Sequence, residues 1–380
     1  MATQYAHINP ENISWARRRA QLDISVLAKK LKVPEDKLLA WEAGEKKVTF
    51  KQAQKIADKL LIPFGYLFLQ RLHKKELPIP DLRTLDNRSI NEPSAELLKI
   101  IQIVQEQQDW YKNYLITQGV EENTQFKKFS TDAGVNEIVK DMQDALCITV
   151  NQRKGSWEDF FRLLVKKIES IGVMVVRQGN LGHHSKSLSV DEFRGFAIFD
   201  SIAPVIFINQ ADFPKARLFT LIHELAHIWI GKSGVSDIPV QTDEKTEVLC
   251  NAVAAEFLVP SSEFIKLWRE YDNWEDNLMA LQSYFHVSDW VLVRRALTLG
   301  LIANSEYGRY VAKLKKDYLN RARKDGGPSY YATKKSQLSE CFSQAIVSEA
   351  LSGRILLRDA GHILGMKPNN ITAFAKELGI

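Results

Sequence analysis

Five consecutive residues, His223-Glu224-Leu225-Ala226-His227, carry the side chains that metal-assisted hydrolysis needs. On an α-helix, residues four apart lie one above the other, so both imidazoles can reach a single Zn²⁺. Glu224 would then stand beside a water held on that ion and could take its proton. A zinc of the catalytic type has three protein ligands and one water, so the pattern calls for a third donor close by.

The flanking residues supply the elements that would position these groups. Residues 205–208, Val-Ile-Phe-Ile, read as a buried strand. Asn209 or Asp212 can cap the helix that follows, and Pro214 suits its first turn, where a missing N–H is harmless. Phe219, Ile222, Ala226 and Trp229 or Ile230 give this helix a core face, and Gly231 ends it. A second helix is expected in TDEKTEVLCNAVAAEFLVP, residues 242–260, with Thr242 as cap and Pro260 as stop. Its carboxylates are Asp243, Glu244, Glu247 and Glu256. Glu247 and Asn251 share one flank of its apolar face at a spacing of four. Glu247 is therefore the expected third ligand, with Asn251 orienting a ligand histidine and Glu256 as the alternative. The expected cofactor is one Zn²⁺ per chain.

Composition bounds the rest. A chain of 380 residues, 45% hydrophobic, can bury two or three cores. Three scattered cysteines, Cys147, Cys250 and Cys341, do not make a disulfide framework and fit a reducing cytoplasm. The first residues show no apolar signal segment, and no apolar run reaches the length of a bilayer span; a soluble cytoplasmic protein without a membrane partner is expected. The net charge of +5 is uneven: residues 1–75 hold 15 Lys and Arg against 7 Asp and Glu, and the remainder holds 36 against 39. A polyanion is the natural partner of that basic segment.

Residues 10–70 read as short helices joined by tight turns. Pro10 opens the first, Ser25 caps the second, residues 34–44 form the third, and Thr49 caps the fourth. The brief turn at residues 32–34 suits a helix-turn-helix. LAKKLKVPEDKLLAWEAGEKKVTFKQAQKIADKLLIP resembles the Xre-type, phage-repressor-like domains. By that resemblance the major-groove face presents Glu35, Asp36, Lys37, Leu39 and Ala40, a poor match to base edges and phosphates. Double-stranded DNA would instead be met by Arg17, Arg18, Lys29, Lys30, Lys37, Lys46 and Lys47. The bland counterpart is a scaffold for contact with a protein or with a second copy of the chain.

FRGFAIFD (193–200), then RLFTLIHELAHIWIG, then EVLCNAVAAEFLVP resemble the ImmA/IrrE-type zinc metallopeptidases over roughly residues 156–300, because three separate blocks occur in order. Cys250 and Val259 depart from that pattern without removing a ligand. ELPIPDLRT (76–84) resembles the junction of fused Xre–metallopeptidase chains. The resemblance implies His223, His227 and Glu247 as ligands and Glu224 as general base.

The expected fold is α+β and predominantly helical. A helix-turn-helix domain (1–75), a helical connecting region (76–155), a minimal zincin-like metallopeptidase domain with a small three-stranded sheet and a helical module (156–322), and a helical C-terminal appendage (329–380) follow in order. KDGGPSYYATKKSQ (324–337) reads as linker by composition, and residues 177–193 as a surface loop carrying His183 and His184. The implied function is an intracellular regulatory peptidase acting on a specific protein such as a repressor. The other reading is a non-proteolytic regulator or antitoxin that binds a partner toxin, for example a PIN-like ribonuclease, and its own promoter.

Overall fold

The computed structural model describes residues 4–70, 93–148, 153, 155–181, 188–236, 245–271, 273–320 and 330–380. Residues 76–84, Thr242, Asp243, Glu244, His183 and His184 lie outside them. Contacts divide the chain into two units, Met1–Ile103 and Val104–Ile380.

In the first unit four helices, α1 (Pro10–Arg19), α2 (Ile24–Leu31), α3 (Glu35–Glu42) and α4 (Phe50–Lys59), surround a core of Ile13, Leu27, Leu38, Trp41, Ile56 and Leu67. A pair of two-residue strands, β1 (Tyr5–Ala6) and β2 (Val48–Thr49), runs antiparallel beside them. Asn9 caps α1 ahead of Pro10, and Thr49 caps α4 in a reciprocal box with Gln52. The turn between α2 and α3 is made by Lys32 in the left-handed conformation, φ 58°. Two expectations need correction. Ser25 lies inside α2, whose N-cap is Asp23, because the helix starts one residue ahead of it. Ala40 is buried against the core, so it cannot belong to an exposed recognition face.

The second unit is built on a mixed sheet in the order β3 (Met174–Gln178), β5 (Val205–Asn209), β4 (Gly195–Ile198), β6 (Gly234–Ser236). β3 runs parallel to β5, while β4 runs antiparallel to both β5 and β6. The apolar run 205–208 is the buried centre of this sheet, as a strand flanked on both sides must be. The fourth strand, β6, is three residues long and has no alternating pattern of its own to announce it.

Three helices precede the sheet in the chain: α5 (Ala95–Thr117), within which the division between units falls, α6 (Val135–Leu146) and α7 (Trp157–Ser170), which opens with a Ser156–Asp159 capping box. After β5 come α8 (Pro214–Trp229) and, past β6, α9 (Lys245–Leu258); α8 packs on β4 and β5, and α9 packs on α8 and α6. Neither Asn209 nor Asp212 is the N-cap of α8, which is Phe213. Asn209 Oδ1 accepts the N–H of Ala211 at 3.0 Å, and the Asp212 carboxylate accepts the N–H of Phe213 at 2.7 Å and Arg194 at 3.0 Å. Both side chains shape the strand-to-helix turn one step ahead of the cap.

Beyond α9 the chain is helical: α10 (Ser261–Leu267), α11 (Asn277–Phe285), α12 (Asp289–Thr298) and α13 (Asn304–Asn320), then α14 (Tyr330–Gln337), α15 (Glu340–Leu351), α16 (Leu357–Leu364) and α17 (Ile371–Leu378). The stretch read as linker is thus helical from Tyr330 onward. α14 packs on β3 and α17, and Lys335 Nζ donates to the Glu377 carbonyl at 2.8 Å; tertiary contact overrides its loop-like composition. His362 is exposed on α16. No single helix among the described residues is long and apolar enough to cross a membrane.

Candidate metal centre

Three buried side chains meet between α8 and α9. His223 and His227 lie one turn apart on α8, and their Nε2 atoms are 3.2 Å from each other. Glu247, in the first turn of α9, brings Oε2 to 3.2 Å from His223 Nε2 and Oε1 to 3.0 Å from His227 Nε2. Asn251, one turn along α9, accepts the His223 Nδ1 proton on Oδ1 at 3.1 Å, which turns the Nε2 lone pair toward Glu247. Glu247 Oε1 is buried and receives no hydrogen bond of good geometry despite its short approach to His227. One possible donor atom from each of His223, His227 and Glu247 lies within 4.8 Å of the other two. Such a donor set, two imidazoles and one carboxylate, fits a zinc ion.

The electrostatics agree with that fit. Burial alone would raise the Glu247 pKa, yet the bonds and charges of the two histidines hold it well below the carboxylate range. Burial works against the charged form of His223 too, but Glu247, Glu224 and Asn251 together hold its pKa above the ordinary histidine value. His227, under the same burial and repelled by His223, is pushed down.

Glu224 is fully buried on α8 and packs against β4 at Gly195. A methyl group at Gly195 would lie 2.6 Å from Thr220 Cγ2, 2.8 Å from the Phe207 carbonyl oxygen and 3.0 Å from Glu224 Oε1. Only a residue without Cβ lets the sheet approach this carboxylate so closely. In the sequence the one signal for this contact is a glycine opening the strand within FRGFAIFD. Cys250 is buried beside the site but outside the cluster, its pKa raised by burial and then by Glu247 and Glu224. Glu256, the alternative third ligand, points elsewhere: it accepts the Ser261 N–H at 3.0 Å and pairs with Arg295, fastening α9 to α10 and α12.

The basic residues of the first unit fall into two groups. Arg17 is engaged inside the unit, its guanidinium forked onto Glu42 at 2.8 and 3.0 Å and bonded to the Leu22 carbonyl. Arg18, Lys29, Lys30, Lys46 and Lys47 are exposed. Lys37 lies over the Trp41 ring at 5.4 Å, beside a groove of about 490 Å³ that Lys46 and Lys47 also line.

No curated protein and no solved structure matches this chain. Residues 338–377, which span α15 to α17, match the model of a domain of unknown function (DUF8813). Residues 169–297, which carry the sheet, α8 and α9, match the family model of the IrrE N-terminal-like domain (Peptidase_M78), a metallopeptidase family.

Proposed function

We propose that the second unit is a zinc-dependent endopeptidase of the HExxH type, with His223, His227 and Glu247 holding the ion and Glu224 as general base. The observation that carries this reading is the convergence of two imidazole Nε2 atoms and one carboxylate at 3.0–3.2 Å in a buried place. A zinc held by these three residues would supply a water of lowered pKa, from about 15.7 toward 7, and polarisation of the scissile carbonyl. Glu224 accepts the proton that the attacking water gives up and passes it to the leaving amine nitrogen. Asn251 keeps the His223 ring in one orientation, and Gly195 leaves Glu224 its room. The target is a specific protein, with a helix-turn-helix repressor as the leading class. The first unit is read as the Xre-type helix-turn-helix domain, with α2 and α3 around the Lys32 turn, and its exposed lysines as DNA contacts.

Enclosure of the site favours a second reading. His223, Glu224, His227 and Glu247 are 3%, 0%, 0% and 7% exposed, so the site can retain a metal without admitting a peptide. The chain would then act as a regulator or antitoxin that holds a partner protein intact.

One experiment separates the two. Metal content is measured for wild type, Glu247→Ala and Glu224→Gln, and each is mixed with the protein that copurifies with the chain. The expected result is one zinc per chain in wild type and in Glu224→Gln, loss of zinc in Glu247→Ala, and cleavage by wild type alone. Equal cleavage by Glu224→Gln removes that residue as the base. An intact partner after incubation with zinc-loaded wild type establishes the regulator.

A further inference from the structure

The second unit contains a cavity of about 230 Å³ that shares no lining residue with the His-Glu cluster. Its walls come from three elements: Arg177 on β3, Gln210 just after β5 with Arg217 on the first turns of α8, and Trp157 and Phe161 one turn apart on α7. The two rings stand 6.3 Å apart, and the Arg177 guanidinium lies over Phe161 at 5.8 Å.

The charges here are poorly matched. Arg177 Nε is buried and has no hydrogen-bond partner among the described residues. Glu169, whose charge offsets part of that of Arg177, makes no hydrogen bond to it and accepts the N–H groups of Val175 and Glu340. Arg217 donates only to neutral acceptors, the carbonyls of Asp212 at 2.9 Å and Gln210 at 2.5 Å. The Asp212 carboxylate is occupied by Arg194 and the Phe213 N–H. At the rim, Glu158 is exposed and Arg162 is tied to Asp159. Burial lowers the pKa of Arg177; the charge of Glu169 opposes that fall, and the second guanidinium, Arg217, adds to it. Both arginines are half-buried, and a half-buried cation without a bonded anion gains when one arrives to meet it.

We infer that this cavity binds a small organic anion, its phosphate or carboxylate held between Arg177 and Arg217 and its planar ring laid against Trp157 and Phe161. Guanidinium forks match the oxygens of both headgroups, and aromatic walls accept any flat ring. The volume falls below the roughly 300–1,000 Å³ of drug-sized pockets, which leaves room for one ring and one headgroup and excludes a dinucleotide. The Gln210 amide, the one neutral polar side chain in the wall, is placed to read the edge of the ring.

The test is calorimetric titration of the full chain with phenyl phosphate, benzoate and inorganic phosphate. A ring-bearing anion should bind at least tenfold more tightly than inorganic phosphate. Arg177→Gln should weaken every probe at least tenfold, and Trp157→Ala should weaken only those with a ring. Preference for phenyl phosphate assigns a phosphate headgroup, and preference for benzoate assigns a carboxylate. Absence of binding by all three probes, no advantage from a ring, or undiminished affinity in Arg177→Gln overturns the inference. Because Arg177 makes no hydrogen bond among the described residues, Arg177→Gln should leave the melting temperature of the ligand-free protein unchanged or higher; a fall of more than about 4 °C, the order of 1 kcal/mol in a domain of this size, would make the residue structural and equally overturn it.

Discussion

In the second unit, His223, His227 and Glu247 are buried, touch one another and are steered by Asn251; in the first, Arg18, Lys29 and Lys30 stand in solvent on short helices, and Lys46 and Lys47 on the loop between α3 and β2. The enclosed set needs two helices and a strand in register before its atoms can meet. The exposed set needs only a solvated face. Constraint should therefore spread outward from the first, into residues with no chemistry of their own, and should stop at the side chain in the second.

The largest expected effect tests that spread. Gly195→Ala drives a methyl to 2.8 Å from the Phe207 carbonyl, a backbone atom that cannot swing aside. Overpacking of this kind costs about 1–3 kcal/mol, read as a lower urea midpoint, and the shift of Glu224 should remove cleavage at an unchanged zinc content. Stability within 0.5 kcal/mol of wild type, taken as roughly the ordinary surface range, would show that the strand and Glu224 are not so closely packed.

Next, Lys46→Ala with Lys47→Ala should change stability by no more than about 0.5 kcal/mol per site. If these lysines meet phosphates, the double variant should flatten the plot of log affinity against log salt by about 0.9 for each lost contact. An unchanged slope would take both out of the DNA interface and leave the first unit a protein-binding scaffold.

The smallest effect concerns a carboxylate that, like the enclosed Glu247, is held low, but stands in water. Asp159 is held at about 2, against its ordinary 3.8, by the Ser156 hydroxyl and N–H and then by Arg162. Its folded pKa lies below its unfolded one. The cap it provides is therefore fully present above 3.8 and is lost as the pH falls through about 2. Thermal unfolding followed across that window should show a decline that Asp159→Asn lacks, and the decline should shrink with added salt because the group is exposed. A salt-independent decline would mean that the residue is sheltered after all.

How much of this was legible in the residues depended on how local the rule was. The spacing of His223 and His227 fixes their common face through helix geometry alone, and the Thr49 and Ser156 caps follow from one side chain and one N–H. Choosing Glu247 over Glu256 needed only the apolar stripe of one helix. Features set by distant neighbours could not be read in this way. β6 is a strand because β4 offers it an edge, residues 330–337 are helical because β3 and α17 receive them, and Ala40 is buried because of how α3 packs. Asp212 looked like a cap and is a partner of Arg194, eighteen positions upstream. Gly195 was visible as a glycine, but its meaning lies in Thr220, Phe207 and Glu224, which no pattern within its own strand names.

Glu247 and Asn251 sit on the same helix, four positions apart, and both serve a histidine pair contributed by the facing one. Inserting or deleting one residue inside the helix, between Glu247 and Asn251, would turn one against the other by about 100°, so that only one of them could still face the histidines. A length change within this one turn of α9 therefore separates the carboxylate that meets the pair from the amide that aims it, and neither can be kept at the expense of the other.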